Sequence, residues 1–360
     1  MQPKDITHPF SCSYSSNVAE LLTRLNCSLA ISTYQAGKLI FISPKNEEHL
    51  VQLPRTFQKP MGIAFDGERG KLGLACKSSV EIFQNSKDLA DFYPKGPGKY
   101  DALFMPRVSY NTAAIDIHDL RFGKNGEIFG VNTLFSCVIQ LDDQYNFTPY
   151  WSPEFITKIT SEDRCHLNGM AMQDGLPKYV SMFNQGDTRQ SWRENITETG
   201  TIIDVQSNEV LFDNLPMPHS PTIINGKLYV LLSATGQLMR LDPEKGTQEE
   251  VINLKGFVRG MGQIGEYLFI GLSKLRKNSS TFAHLKIADS ANYCGIAIVH
   301  LPTGSHCGEI KYHSSVDEIY DIEVLPNMTR PNIINNQMPE SKLGISIPDQ
   351  TYWAQMNKDT

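Results

Sequence analysis

One short segment recurs six times along the chain, and no other feature constrains the fold as tightly. The copies are KPMGIAFDG (59–67), DIHDLRFGKNG (116–126), HLNGMAMQDG (166–175), MPHSPTIING (217–226), FVRGMGQIGE (257–266) and EIYDIEVLP (318–326). Each sets a polar or special residue and then a small or acidic one ahead of an apolar run that ends in a turn. Most are followed by a stronger apolar strand and then one or two more, as in KLYVLLS (227–233) and GQLMRLD (236–242). Short alternating strands parted by Gly, Asn and Asp predict an all-β chain. A repeat of such units predicts a propeller, with the recurring segment as the innermost strand of each blade. Asn225-Gly226 reads as a two-residue type I′ hairpin turn.

The ends of the repeat predict how the ring closes. The last copy has no blade after it, and the first blade, 29–53, has no inner strand before it. The segment 317–325 is therefore expected to complete the N-terminal blade, giving a six-bladed β-propeller without open sheet edges. The expected organisation is an N-terminal extension with one short helix (1–28), the propeller (29–326) and an irregular C-terminal tail rich in Asn and Pro (327–360). In the helix, Ser16 is the expected cap, with Val18, Leu21, Leu22 and Leu25 on one face.

Composition narrows the partners. A net charge of −6 argues against nucleic acid, whose phosphates need a basic surface. No apolar run approaches the roughly 18 residues of a membrane span, and the N-terminus has no apolar core of a signal peptide. Seven cysteines without CxxC spacing fit reduced thiols and a cytoplasmic protein. Oligomeric state is not readable.

Inner strands of a propeller start together at one mouth of the central channel. The column of matching positions there holds Met61, His118, Asn168, His219, Arg259 and Tyr320. By strand alternation the residues two earlier, including His166 and Glu318, are expected on the same face. The residues one later, among them Gly62, Asp119, Gly169, Ser220, Gly260 and Asp321, are expected between blades. Three of the nine histidines thus gather at the mouth, His118, His166 and His219, and imidazoles converging from successive blades suit one transition metal. Zinc is the first expectation, with copper or iron as alternatives. A solvated channel lined by hydrogen-bonding residues accounts for the same column without a metal. The long stretches 86–113, 151–165, 184–198 and 273–292 are expected to cover the mouth. They carry Arg107, Arg164, Arg193, Lys274 and Arg276, a cationic rim suited to a carboxylate.

The motifs STYQAGKL (32–39), IDIHDL (115–120), DRCHLNGMA (163–171), MPHSP (217–221) and EIYDIEVLP (318–326) resemble those of a bacterial conserved-hypothetical family catalogued as a domain of unknown function, over about residues 10 to 327. That resemblance implies kinship but no chemistry. Two other six-bladed families are similar at the level of fold. Gluconolactonase-type lactonases hold calcium with Glu, Asn and Asp, whereas the histidines here do not suit that oxygen-seeking ion. The peptidyl-amidoglycolate lyases are more similar in site composition, with a His-bound zinc and Arg, Tyr and Met nearby.

Two classes of function follow. The first is a metal-dependent enzyme of hydrolase or lyase type, acting on a small carboxylate-bearing or peptide substrate. His118, His166 and His219 would hold the metal, Tyr320 or Glu318 would move a proton, and Arg259 would hold a carboxylate or oxyanion. Arg107, Arg164, Arg193, Lys274, Asn168 and Met61 would contact the substrate. The second is a propeller that binds a small anionic molecule or peptide without turnover. A copper or iron oxidase is a further alternative. No phosphate loop, GxSxG elbow or HExxH motif is present.

Overall fold

The computed structural model describes residues 8–275, 282 and 285–354. Within them, six sheets of four or five strands, antiparallel but for one added edge strand, are arranged as blades, and a separate two-stranded hairpin lies near the C-terminus. The inner strands are Ile63–Asp66, Ile117–Phe122, Gly169–Gln173, Pro218–Ile224, Phe257–Ile264 and Asp321–Pro326, which are the six recurring segments. Each runs antiparallel to the strand that follows it in its blade. Positive φ at both Asn225 (50°) and Gly226 (74°) is what a type I′ turn requires.

The ring closes as the repeat predicts. Asp321–Pro326 pairs antiparallel with Cys27–Thr33, in a register running from Ser32↔Asp321 to Cys27↔Pro326. The N-terminal blade is therefore built from both ends of the propeller sequence, and its sheet order places the C-terminal strand innermost. Ile319, Ile322 and Val324 of this segment are buried in one cluster with Leu29 and Ile31 of the next strand.

Two repeating devices weld blade to blade. The positions just after the mouth column alternate between glycine and a polar residue. A Cβ on Gly62 would stand 2.8 Å from the Asp119 Cα, one on Gly169 would stand 2.6 Å from Pro221 Cδ, and one on Gly260 would stand 2.8 Å from the Asp321 Cα. The missing side chain lets neighbouring inner strands meet at backbone distance. The polar partner then bonds across the next seam. Asp119 accepts from Met170 N at 2.9 Å, Ser220 from Gly260 N at 3.1 Å and Asp321 from Ile63 N at 2.9 Å. The second device lies at the mouth end of the second strands. There Ser32, Thr133, Ser233 and Ser273 donate to Met61 O, Leu167 O, Val258 O and Ile319 O of the following blade.

Arg121 fills the channel below this ring. Its guanidinium is 3.0 Å from Asp119 and 3.8 Å from Glu323, and it donates to Ile63 O at 3.1 Å. Burial pushes the Asp321 carboxyl up to about 7 and that of Glu323 up to about 8, against the pull of Arg121.

Both ends of the chain are tied down. Val18–Arg24 is helical, burying Val18, Leu21 and Leu22, and its N-cap is Asn17 rather than Ser16. Cys12–Tyr14 adds a fifth strand to the sixth blade. The C-terminal segment is more regular than expected. Pro331–Ile333 pairs in parallel with the outer strand of the second blade, and Gly344–Ile347 forms a hairpin with Gln350–Trp353. Trp353 packs edge-on against Tyr93, and Lys95 pairs with the buried Glu340. The seven cysteines are free. Among the described residues no helix is long and apolar enough to cross a membrane.

Candidate functional site

The site lies where the inner strands start, and an unusual backbone shapes those starts. Lys59, Asp116, His166 and Met217, each two residues ahead of the mouth column, have φ of 45°, 54°, 51° and 57°. Non-glycine residues seldom adopt this left-handed conformation. Its recurrence confirms the alignment of the repeat, but it breaks strand alternation at that point. Residues two before the column therefore do not all share its face. Met217 is fully buried in a cluster with Phe183, Trp192 and Phe257, whereas Lys59 is exposed and donates to Tyr34 Oη at 3.1 Å.

His166 swings back toward the axis and joins the others. Its ring centre is 5.1 Å from that of His118, and it lies between Phe183 at 4.5 Å and Trp192 at 4.2 Å. His219 meets the other side of Phe183 edge-on at 5.1 Å. Asp163 fixes this group, since one of its carboxylate oxygens is 3.0 Å from His166 Nδ1 and also accepts from Trp192 Nε1 at 3.0 Å. In the neutral form of His166, Nδ1–H donates to Asp163 and the lone pair sits on Nε2. His219 is oriented in the same sense. Ser233 Oγ donates to Val258 O at 2.5 Å, so at its 2.6 Å contact with His219 Nδ1 it is the acceptor. Met217 O, 3.3 Å from the same nitrogen, also requires an Nδ1–H. Two imidazoles thus have Nδ1 tethered and Nε2 open.

The opposite wall is a cation–aromatic stack. The Arg259 guanidinium lies 3.5 Å from the Tyr320 ring centre, Tyr320 stacks on Tyr34 at 5.8 Å, and Lys59 covers Tyr34. His118 meets the edge of Tyr320 at 5.6 Å. Among the described residues Arg259 has no carboxylate partner. Burial, His166 and then Arg259 hold His118 well below the usual imidazole range. Burial and then Arg259 do the same for His219. Both rings are neutral at pH 7. Burial raises the Tyr320 phenol well above its usual range, so it stays a donor.

The other expected residues are placed as follows. Asn168 is buried at the axis, accepting from Ser181 Oγ at 2.7 Å. Met61 is buried in the core against Tyr320 and Ile117. Glu318 is half-buried and its charge acts on Tyr320. Arg164 is committed to Glu162 at 2.8 Å and Asp187 at 2.6 Å, clamping the covering loops. Arg193 is exposed on the outer face of Trp192. Lys274 is exposed at the start of its loop, and Arg276 lies outside the described residues. Arg107 stands on the fourth strand of the second blade, Ala102–Asn111, away from the mouth, and among the described residues its guanidinium donates to the adjacent Pro106 O.

The stretches 151–165 and 184–198 reach the mouth through Asp163 and Trp192. The described part of 273–292 joins them through Leu285, Ile287 and Ala291, which pack with Trp192 and Phe257. The stretch 86–101 does not. It follows a third strand rather than a second, so it emerges on the opposite face, where Lys87 and Asp101 line a 810 Å³ cleft with the turns at Arg69 and Lys124. As the side chains stand, no three His, Cys, Asp or Glu among the described residues are grouped to hold a metal ion.

Sequence reasoning passed over Tyr34, Asp163, Phe183, Trp192 and Ser233. Three of them carried a usable signal. Tyr34, Phe183 and Ser233 directly follow second strands, which return to the mouth from the far side of each blade.

No curated protein matches the sequence. Among solved structures the chain is similar to one in a crystal structure of the nidogen/laminin complex, at 12% identity and a TM-score of 0.55, covering 84% of this chain and 99% of that one. It is also similar to a protein of unknown function from Bacteroides caccae, at 11% identity and a TM-score of 0.51, covering 83% and 98%. At such identities the likeness is one of fold, a β-propeller. Residues 16–334 match the family described as Domain of unknown function (DUF4915), and the chain belongs to that family.

Proposed function

We propose that the funnel at the mouth binds a small carboxylate-bearing molecule, or the carboxylate end of a short peptide, and acts on it by acid–base chemistry of hydrolase or lyase type. The observation that carries this reading is Arg259. Its guanidinium lies on Tyr320 with no carboxylate partner among the described residues, beside two imidazoles whose low pKa it helps to set. A half-buried cation without a carboxylate partner among the described residues favours an anionic ligand. Around that anchor, a neutral His219 with Nε2 open can accept a proton, and the Tyr320 phenol can donate one. Trp192 and Phe183, both buried, pack against His166 and hold the imidazoles in place.

The test is a thermal-shift panel of small carboxylates, amines and neutral molecules. Carboxylates should raise the melting temperature, as any ligand specific for the folded state does. Arg259→Gln should weaken their binding by about ten- to a hundredfold, the loss of one charged hydrogen-bonding group. Equal shifts with amines, or none in the wild type, would remove the reading.

A second reading keeps the metal, favoured by the Nδ1 tethers on His166 and His219, since a ligating imidazole is commonly held through its other nitrogen. It requires His118, His166 and His219 to close in, against the charge of Arg259. Zinc bound in a 1:1 ratio to protein purified without chelator, and lost in His118→Ala, His166→Ala and His219→Ala, would establish it.

A further inference from the structure

Beneath Arg259 the axis of the ring holds a small cavity of about 10 Å³, the size of a single oxygen atom or water. Tyr320, Arg259, Asn168, His118 and His219 line it from the mouth side. Tyr320 is 5% exposed, and its Oη is buried with no hydrogen-bond partner. Such a hydroxyl costs about 1–3 kcal/mol when left unpaired, so native proteins seldom keep one without a use. Its ring cannot turn away, because Arg259 covers one face, Tyr34 stacks on the ring at 5.8 Å and His118 meets its edge. Nδ1 of His118 is likewise buried and unpartnered. Asn168 Nδ2 makes only a 3.3 Å contact with His166 O, leaving its second N–H available.

Asp119, Arg121, Ser220 and Asp321 complete the lining, and the two carboxylates are already engaged by donors of the protein. Asp119 accepts from Leu120 N and Met170 N and pairs with Arg121, and Asp321 accepts from Ile63 N and Ile322 N. The donors left unengaged are Tyr320 Oη–H, the Arg259 guanidinium and the second N–H of Asn168, around a space that admits one atom.

We propose that this axial cavity seats one carboxylate oxygen of the ligand, held by Tyr320 Oη–H and Arg259, while the second oxygen stays in the funnel facing the imidazoles. This rests on the carboxylate reading of the mouth and narrows it. A planar carboxylate can insert one oxygen edge-first, whereas a tetrahedral phosphate meets the rim with its remaining oxygens.

The experiment is calorimetric titration with acetate and with inorganic phosphate, using the wild type, Tyr320→Phe and Arg259→Gln. Phenylalanine keeps the ring under Arg259 and removes only the hydroxyl. Acetate should bind the wild type more tightly than phosphate. Tyr320→Phe should weaken acetate about tenfold, one charge-assisted hydrogen bond. Its melting temperature without acetate should be unchanged or higher, since an unpartnered hydroxyl is lost. Acetate affinity within twofold of wild type in Tyr320→Phe, with loss in Arg259→Gln, would remove the seat and leave the mouth reading intact. Failure of the wild type to bind acetate would remove both.

Discussion

Replacing Asp321 with alanine tests the welding of the ring in numbers. Its two carboxylate oxygens accept one backbone N–H from its own strand, Ile322, and one from the next blade, Ile63, each at 2.9 Å. Alanine leaves both donors buried and unpaired, at about 1–3 kcal/mol each, so the expected loss is about 2–6 kcal/mol. Asparagine keeps one acceptor oxygen and should lose about half of that. Ser220→Ala removes the acceptor of a single inter-blade donor, Gly260 N, and should cost about 1–3 kcal/mol. Against a total stability of about 5–15 kcal/mol these differences are large. Urea unfolding at pH 7, followed by circular dichroism, would measure them as shifts in midpoint at constant slope. The order expected is alanine, then asparagine, then wild type at position 321. An Asp321→Ala variant within about 0.5 kcal/mol of wild type, the scatter of ordinary surface changes, would refute the claim that these bonds hold the seam.

Ending the chain at residue 315 should leave it unfolded, because this removes the innermost strand of the first blade. Ending it at 328 should leave a folded ring with a lower melting temperature, and a cooperative transition in the shorter chain would contradict the closure. Raising pH from about 6.5 to 8, above the range where the unfolded imidazoles of His118 and His219 take up protons, should lower stability. The Asp321 and Glu323 carboxyls have folded values of about 7 and 8, above their unfolded ones, so in that window the native state binds more protons than the unfolded chain. Glu323→Gln should flatten part of the slope in melting temperature against pH, though the 25% exposure of that side chain moderates its share. Asp163→Ala removes the acceptor of both donors, so it should shift Trp192 emission and the ¹⁵N signal of His166 Nδ1. Unchanged spectra would mean that Asp163 does not orient them.

The ring was legible because its determinants are local and repeated. Six copies of one strand, turn residues such as Asn225-Gly226, and a C-terminal copy without a blade of its own suffice to specify blade count and closure. The glycine column was legible as well, since Gly62, Gly169 and Gly260 recur at one position of the repeat. The site was only partly so. Strand alternation fails where Lys59, Asp116, His166 and Met217 take left-handed backbone, and no periodicity rule predicts that Met217 sinks into the core while His166 meets His118. Charge on a loop says little about where the charge points, so Arg164 is tied to Glu162 and Asp187, and Arg107 lies on an outer strand. The tail from 327 lacks periodicity because its order is borrowed. Pro331–Ile333 becomes a strand only on the exposed edge of the second blade, and Trp353 is placed by Tyr93.

A crystal structure with the tightest carboxylate from the thermal-shift panel tests the central claim most directly. The account predicts the carboxylate on Arg259 at about 2.7–2.9 Å, with Nε2 of His219 facing the bound molecule. A ligand bound away from the mouth, or a metal ion held by His118, His166 and His219 with Arg259 turned aside, would contradict it.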